Sequence, residues 1–543
     1  MAGPGSPRAA AKSAGAAVDA AAVQRFVEHE WYQDVVPTLE KYIKIPNLSP
    51  YFTTPDNVAD LAAQDKAFAL LEGWVRGLDV RGMVVEKHQL EGRTPLLFVE
   101  VAATPGVDVR EAGTVLLYGH MDKQPPFTGW EEGTGPYEPR IKDGKLYGRG
   151  GADDGYAVFC ALTAIRGCQK QGLPHARMVV IIEACEESGS PDLPAYIVHL
   201  KAKIGTPNLV VCLDSGAGNY EQLWVTTSLR GVCVGNLTVE LTSEGVHSGD
   251  ASGIVPDTFR VARTLLDRLE DSASGRVKLA SLHAPIPEQV RLQVHHCAQV
   301  LGREGLIDCF PFLPGAQHVQ VPEATSTAEL LTELALNRWW RPQLAVIGAA
   351  GLPPAASAGN VLRPSTTLAL SIRLPPALDT KSVQADLRDL LTRDAPLGAK
   401  VSFTSQKCGR GWAAPPLAPW LETISQEASR TFYKGKDCMY MGEGGSIPFM
   451  AMLGELYPSS QFLILGCLGP HSNAHGPNEF LHLEFSAKLT MCVTYVLAKH
   501  CSYKVDSLLQ QGPASPQAKK AKTGADPADL TANFGRTKDG VKL

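Results

Sequence analysis

Short, wholly apolar runs alternate with longer polar and amphipathic stretches over most of this chain. Four of the runs are TVLLY at Thr114 to Tyr118, MVVII at Met178 to Ile182, LVVCL at Leu209 to Leu213 and FLIL at Phe462 to Leu465. Their shortness and β-branched content predict strands covered on both faces, as in a mostly parallel sheet sandwiched by helices. Apolar residues at three- and four-residue spacing predict a helix near Val23 to Ile43. The stretch from Asp153 to Gly172 reads as an acidic loop entering another helix.

A different pattern interrupts this α/β alternation. Val232 to Leu241 and Thr366 to Leu374 are longer and two-faced: Leu368, Leu370, Ile372 and Leu374 share one side, while Ala369, Ser371 and Arg373 share the other. Phe259, Ala262, Leu265 and Leu269 predict an amphipathic helix between these strands. Together they place a smaller α+β lid or dimerisation module at 225–407, inserted into an α/β domain formed by 23–224 and 408–505. The Ala/Gly-rich segment 1–22 and the Pro/Ala/Lys-rich segment 506–543 read as disordered tails.

Composition narrows the class. A chain of 543 residues exceeds one ordinary core. A formal charge of −5 argues against a nucleic-acid surface, and the absence of 18 consecutive apolar residues argues against a membrane span. The 12 cysteines lack paired spacing, and Cys160, Cys185 and Cys212 lie in apolar runs, which predicts free thiols in a reducing compartment. A cytoplasmic location follows. Arg8 and Lys12, ahead of the first acid at Asp19, leave a mitochondrial address as the alternative.

The chemistry gathers where the apolar runs stop. The first leads to His120, the second to Glu186 and Glu187, the third to Asp214, and the fourth to a loop holding His471 and His475. In α/β sheets, functional groups collect beyond the carboxyl ends of the strands. In extended backbone, His120 and Asp122 share a face, so the carboxylate can accept one imidazole N–H while the other nitrogen binds metal. Asp153-Asp154, taken alone, reads as a solvated acidic turn, and Asp214 as a capping residue. Of Glu186 and Glu187, one can ligate and the other serve as general base. His471 and His475 compete for one role. Imidazole and carboxylate ligands suit Zn²⁺ or Mn²⁺ better than Mg²⁺.

Seven motifs carry a resemblance. GHMDKQP, KLYGRGGADDG, EACEESGS, VCLDSG, GVHSG, GEGGSIP and AHGPNE occur in this order, within a span from Val23 to Ser502. They resemble the dinuclear zinc superfamily of aminoacylases, carboxypeptidases and dipeptidases, and within it the cytosolic nonspecific dipeptidase and carnosinase branch. The resemblance implies that His120 and Asp214 hold one metal, Glu187 and His475 the other, and that Asp153 bridges both. It implies a cis peptide after Asp153, Asp122 as the group orienting His120, and Glu186 as general base. It also implies that His247 reaches the partner subunit's active site to stabilise an oxyanion, and that Arg373 grips the substrate carboxylate. Asn360, Gly445 and Ser446 would line the pocket, and Glu443 is the candidate partner for a substrate amine. Lys123, Gly442 and Asn360 depart from the branch's pattern, and all three are expected near substrate rather than metal.

The reading that results is a homodimeric dimetal hydrolase. It would cleave dipeptides or short peptides with a free C-terminal carboxylate, using metal-activated water with Glu186 as general acid/base. An N-acyl-amino-acid amidohydrolase is the alternative within enzymes, and a non-catalytic binding paralogue the alternative outside them.

Overall fold

A computed structural model describes residues 18–52, 60–445 and 447–501. Ser446, all of 506–543 and most of the 1–22 tail therefore lie outside the described residues.

A nine-stranded sheet organises the larger part of the molecule. At its centre Arg177–Glu183, Thr114–His120, Leu209–Cys212 and Gln461–Ile464 lie side by side, all parallel. These are the four apolar runs singled out above. Because they run in one direction, their carboxyl ends meet at a single edge of the sheet. The flanks are antiparallel: Met83–His88 and Leu96–Val101 on one side, Trp224–Leu229 and Trp412–Ala413 on the other. Met439–Glu443 joins the second flank parallel to Trp224–Leu229.

Helices cover both faces of this sheet. Ala157–Lys170 and Leu483–His500 are almost wholly buried on one side. Leu193–Ile204 and Pro448–Leu456 pack on the other. The N-terminal helical run begins at Ala20, where the Asp19 carboxylate caps it, and ends at Ile43. It widens into a π turn at Trp31–Val35, just before Pro37, whose ring nitrogen has no hydrogen to continue the α pattern.

A second, antiparallel sheet of four strands has the order Gln343–Ala350, Ser365–Leu374, Gly231–Glu240, Lys400–Gly409. Its inner face packs on Thr258–Leu269 and Thr380–Thr392 to form a separate core. The alternation expected of Thr366 to Leu374 is present, with Leu368, Leu370, Ile372 and Leu374 inward and Arg373 outward. The structure redraws the 225–407 span in two places. Trp224–Leu229, buried on both faces, belongs to the large sheet. Glu288–Arg303 and Thr327–Trp339 bury Val294, Leu301, Leu336 and Trp339 in the large core. Sequence order put these segments within the insertion; burial of their apolar faces ties them to the larger body.

All 12 cysteines are unpaired. Among the described residues, no helix is long and apolar enough to cross a membrane.

Candidate metal centre

The strand Thr114–His120 delivers His120 to the sheet edge with its side chain fully buried. A Cβ on Gly119 would lie 2.7 Å from Asp154 Oδ2 and 2.4 Å from Ala157 Cβ, so only glycine admits the acidic loop here. That loop closes over the strand end: Asp154 Oδ2 accepts the His120 backbone N–H at 3.1 Å. The Asp153–Asp154 peptide is cis.

Asp153 lies between two imidazoles. Its Oδ1 is 3.4 Å from His120 Nε2, and its Oδ2 is 3.0 Å from His475 Nε2. Asp214 Oδ1 stands 3.7 Å from His120 Nε2, and Glu187 Oε2 stands 3.3 Å from His475 Nε2. Glu187 also accepts a 2.5 Å hydrogen bond from Gln124. Asp122 Oδ1 is 3.4 Å from His120 Nδ1, on the ring edge away from Asp153. His475 is therefore the histidine of its loop that reaches the cluster. His471 is exposed and forms no such pair among the described residues.

Two sets of ligand atoms can each surround a cation, all within 4.8 Å of one another: His120, Glu186 and Asp214, and His120, Asp153 and Glu187. Glu186 thus belongs to one set, and its neighbour Glu187 to the other.

The charges are out of balance. Burial, then repulsion among neighbouring carboxylates, pushes Asp154, Glu186 and Glu187 well above the ordinary carboxylate range. Burial also raises Asp214, against the pull of His120. Burial works the same way on Asp153, but the imidazoles of His120 and His475 beside it outweigh burial and hold this carboxyl low. Burial disfavours the His120 cation, yet Asp214, Asp122 and Asp153 more than offset it and raise the imidazole. Both His120 nitrogens, Asp153 Oδ2, Asp154 Oδ1 and Glu187 Oε1 are buried without a hydrogen-bond partner among the described residues. Buried polar atoms are normally satisfied. Divalent cations fit this donor set: they would bind His120 Nε2 and the orphaned oxygens of Asp153 and Glu187, and neutralise the excess carboxylates.

The expected substrate contacts are placed unevenly. Glu443 ends the strand Met439–Glu443, lies against Gly216 and is raised by burial. Its carboxylate lies where a Gly216 Cβ would be, two residues from Asp214. Gly445 is exposed beyond it. Arg373 is half-buried on the outer face of the smaller sheet. His247 is exposed, with Nδ1 3.5 Å from Asp250, and among the described residues it is in neither ligand set. It pairs with Val361, beside Asn360, whose carbonyl accepts the Ser248 N–H at 2.9 Å.

Two of the three departures from the branch's pattern have packing causes. Lys123 turns away from the cleft: its Nζ donates to the carbonyls of Tyr42, Ile43 and Ile45 at 2.9, 3.3 and 2.7 Å. It thereby caps the helix Val36–Ile43, which corrects the expectation that it lies near substrate. A Cβ on Gly442 would fall 2.7 Å from Trp339 Cβ, so Trp339 excludes any side chain there. Asp154, Arg149 and Glu479, each within a motif quoted above, are further buried charged groups here, at 0%, 1% and 0% exposure.

Residues 116–499 match Peptidase family M20/M25/M40. The chain belongs to this family. It is 25% identical over 472 residues to a Cys-Gly metallodipeptidase of Schizosaccharomyces pombe, covering 85% of this chain and 95% of that protein. It is 26% identical over 371 residues to a cysteinylglycine-S-conjugate dipeptidase of Corynebacterium striatum, covering 68% and 77%. Human beta-Ala-His dipeptidase is 26% identical over 414 residues, covering 72% and 75%. The fold matches the solved structures of the di-peptidase Dug1p from Saccharomyces cerevisiae (TM-score 0.68, 21% identity, 89% of this chain and 99% of that one) and human carnosine dipeptidase 1 (0.66, 21%, 89% and 100%). This peptidase therefore stands in the dipeptidase branch that its motifs resemble, and a catalytic family replaces the binding-paralogue alternative.

Proposed function

We propose that this peptidase hydrolyses dipeptides, or similarly short peptides with a free C-terminal carboxylate, at a two-metal site. The observation that carries the proposal is the pair of overlapping ligand sets around His120, with Asp153 between His120 and His475. His120 and Asp214 would hold one ion, Glu187 and His475 the other, with Asp153 shared. Zn²⁺ suits the set best and Mn²⁺ second. Bound there, the ions would supply Lewis acidity to the scissile carbonyl and acidify the attacking water.

The chain's own groups do the rest. Asp122 holds the His120 ring, leaving Nε2 turned toward the ligands. Glu186 takes a proton from water and delivers it to the leaving amine, a role suited to a carboxylate that burial and then Asp214 raise well above the ordinary range. Arg373 receives the substrate carboxylate, a task suited to a planar guanidinium. Asn360 and Gly445 would line the same pocket. Glu443, beside Gly216, meets the free α-amine of a dipeptide. An N-acyl amino acid lacks that amine, so Glu443 favours the dipeptidase over the acylase reading. His247 is supplied in trans across a homodimer formed by the inserted sheet and its helices, where it faces the developing oxyanion. The unpaired cysteines suit a cytoplasmic enzyme.

A hydrolysis screen of dipeptides beside their N-acetyl amino-acid counterparts, with Zn²⁺ and Mn²⁺ in parallel and Glu186→Gln as the blank, tests this. Dipeptide turnover that Glu186→Gln abolishes supports the proposal. Turnover confined to the N-acyl compounds transfers the site to the acylase reading.

A further inference from the structure

Three ligand-bearing segments, far apart in sequence, converge on one buried ion pair. Arg149 and Glu479 are 1% and 0% exposed, and Arg149 Nη1 donates to Glu479 Oε2 at 2.7 Å. Each partner has further work. Arg149 Nη2 donates to the Gly476 carbonyl at 2.7 Å, one residue beyond His475, and its Nε donates to the Pro125 carbonyl at 3.1 Å, just past the His120–Asp122 turn. The Glu479 carboxylate accepts the backbone N–H groups of Gly150, Ala152 and Asp153 at 3.0, 3.1 and 3.2 Å. Its backbone carbonyl accepts the Gly148 N–H at 3.0 Å. Neither side chain bonds the side chain of a metal ligand through its own charged atoms. Their hydrogen bonds instead end on the backbone of the residues that carry Asp153, His475 and the His120 turn.

Burying both charges is costly, and an apolar pair could fill the volume with less desolvation. What an apolar pair could not do is fix three loops at once, two by a fork of N–H donors and one by a carboxylate that accepts three amides. We infer that the Arg149–Glu479 pair is a positioning clasp that sets the separation of Asp153 and His475, and with it the affinity of the metal pair. This rests on the proposed roles of Asp153 and His475 as ligands. The clasp explains why the GRGGADD and AHGPNE motifs occur together: one supplies the guanidinium and the bridging acid, the other the carboxylate and the histidine.

The test compares Glu479→Gln and Arg149→Lys with Glu30→Gln. The last breaks the Arg166–Glu30 pair between two helices, away from the ligand loops. Zn²⁺ affinity is read by competition with a chromophoric chelator, well below each protein's melting temperature, and the fold is checked by circular dichroism without metal. The clasp predicts that Glu479→Gln and Arg149→Lys bind Zn²⁺ at least about tenfold more weakly, the range seen when groups behind metal ligands are altered, while Glu30→Gln binds as wild type. Wild-type affinity in a folded Glu479→Gln or Arg149→Lys protein would overturn it. If Glu479→Gln does not fold, Arg149→Lys decides. A wild-type protein that takes up no Zn²⁺ would instead overturn the two-metal reading, so the two failures are distinct.

Discussion

The carboxylate of Asp122 accepts the backbone N–H of Glu186 at its Oδ1 and that of Glu187 at its Oδ2, both at 3.0 Å. The same Oδ1 lies 3.4 Å from His120 Nδ1. One buried side chain thus sets the imidazole on its own strand and the acidic turn of the neighbouring strand. Asp122→Asn keeps the size but places an NH₂ against one of these donors. We expect kcat or metal affinity to fall about 10–100-fold with the fold retained, checked by steady-state kinetics and metal titration.

Lys123, the next residue, belongs to stability rather than specificity. Its ammonium satisfies three carbonyls at the end of the helix Val36–Ile43, and its stem lies where a Gly150 Cβ would be. Lys123→Met would leave the Ile43 carbonyl without this donor and strip one donor each from Tyr42 and Ile45, which keep the N–H groups of Ile45 and Asn47, at a cost on the order of 1–3 kcal/mol in urea unfolding. The ranking of dipeptide substrates should not change.

His500, at the end of the last helix, is fully buried, and neither ring nitrogen has a hydrogen-bond partner among the described residues. Burial lowers its pKa to about 4. The unfolded chain takes up a proton near pH 6.5, whereas the folded imidazole stays neutral until about 4. The stability from this group is therefore complete above about 6.5 and lost as pH falls toward 4, on the order of 3 kcal/mol in all. His500→Leu should flatten the unfolding free energy across that window, measured by denaturant titration at several pH values.

His247 and Arg373 provide the test of assembly. Each single alanine variant should be nearly inactive. If His247 acts in the partner's site, mixing the two variants under conditions that exchange subunits should restore activity in hybrid dimers. Hybrid dimers shown by mass measurement, yet inactive, would refute the in-trans role.

The parts of this molecule legible in its sequence are those governed by local pattern. The four central strands could be read because burial on both faces leaves an unbroken apolar run, and their shared direction explains why His120, Glu186, Glu187 and Asp214 meet. The motifs point to the proposed ligand set. Less legible were the effects of long-range packing. Arg149 and Glu479 stand 330 residues apart, and nothing local to either announces the other. The direction of the Lys123 stem depends on a helix end some 80 residues earlier. Gly442 reads as a missing side chain until Trp339 is seen against it. The helices Glu288–Arg303 and Thr327–Trp339 look like part of the insertion until their apolar faces are found in the large core.

The most direct measurement is a Zn²⁺ titration of chelator-stripped, folded protein, with dipeptide hydrolysis followed in the same samples. The account predicts saturation at about two ions per chain, with hydrolysis appearing as they bind. A folded, metal-free chain that hydrolyses dipeptides at the full rate, or one that binds no metal, would contradict it.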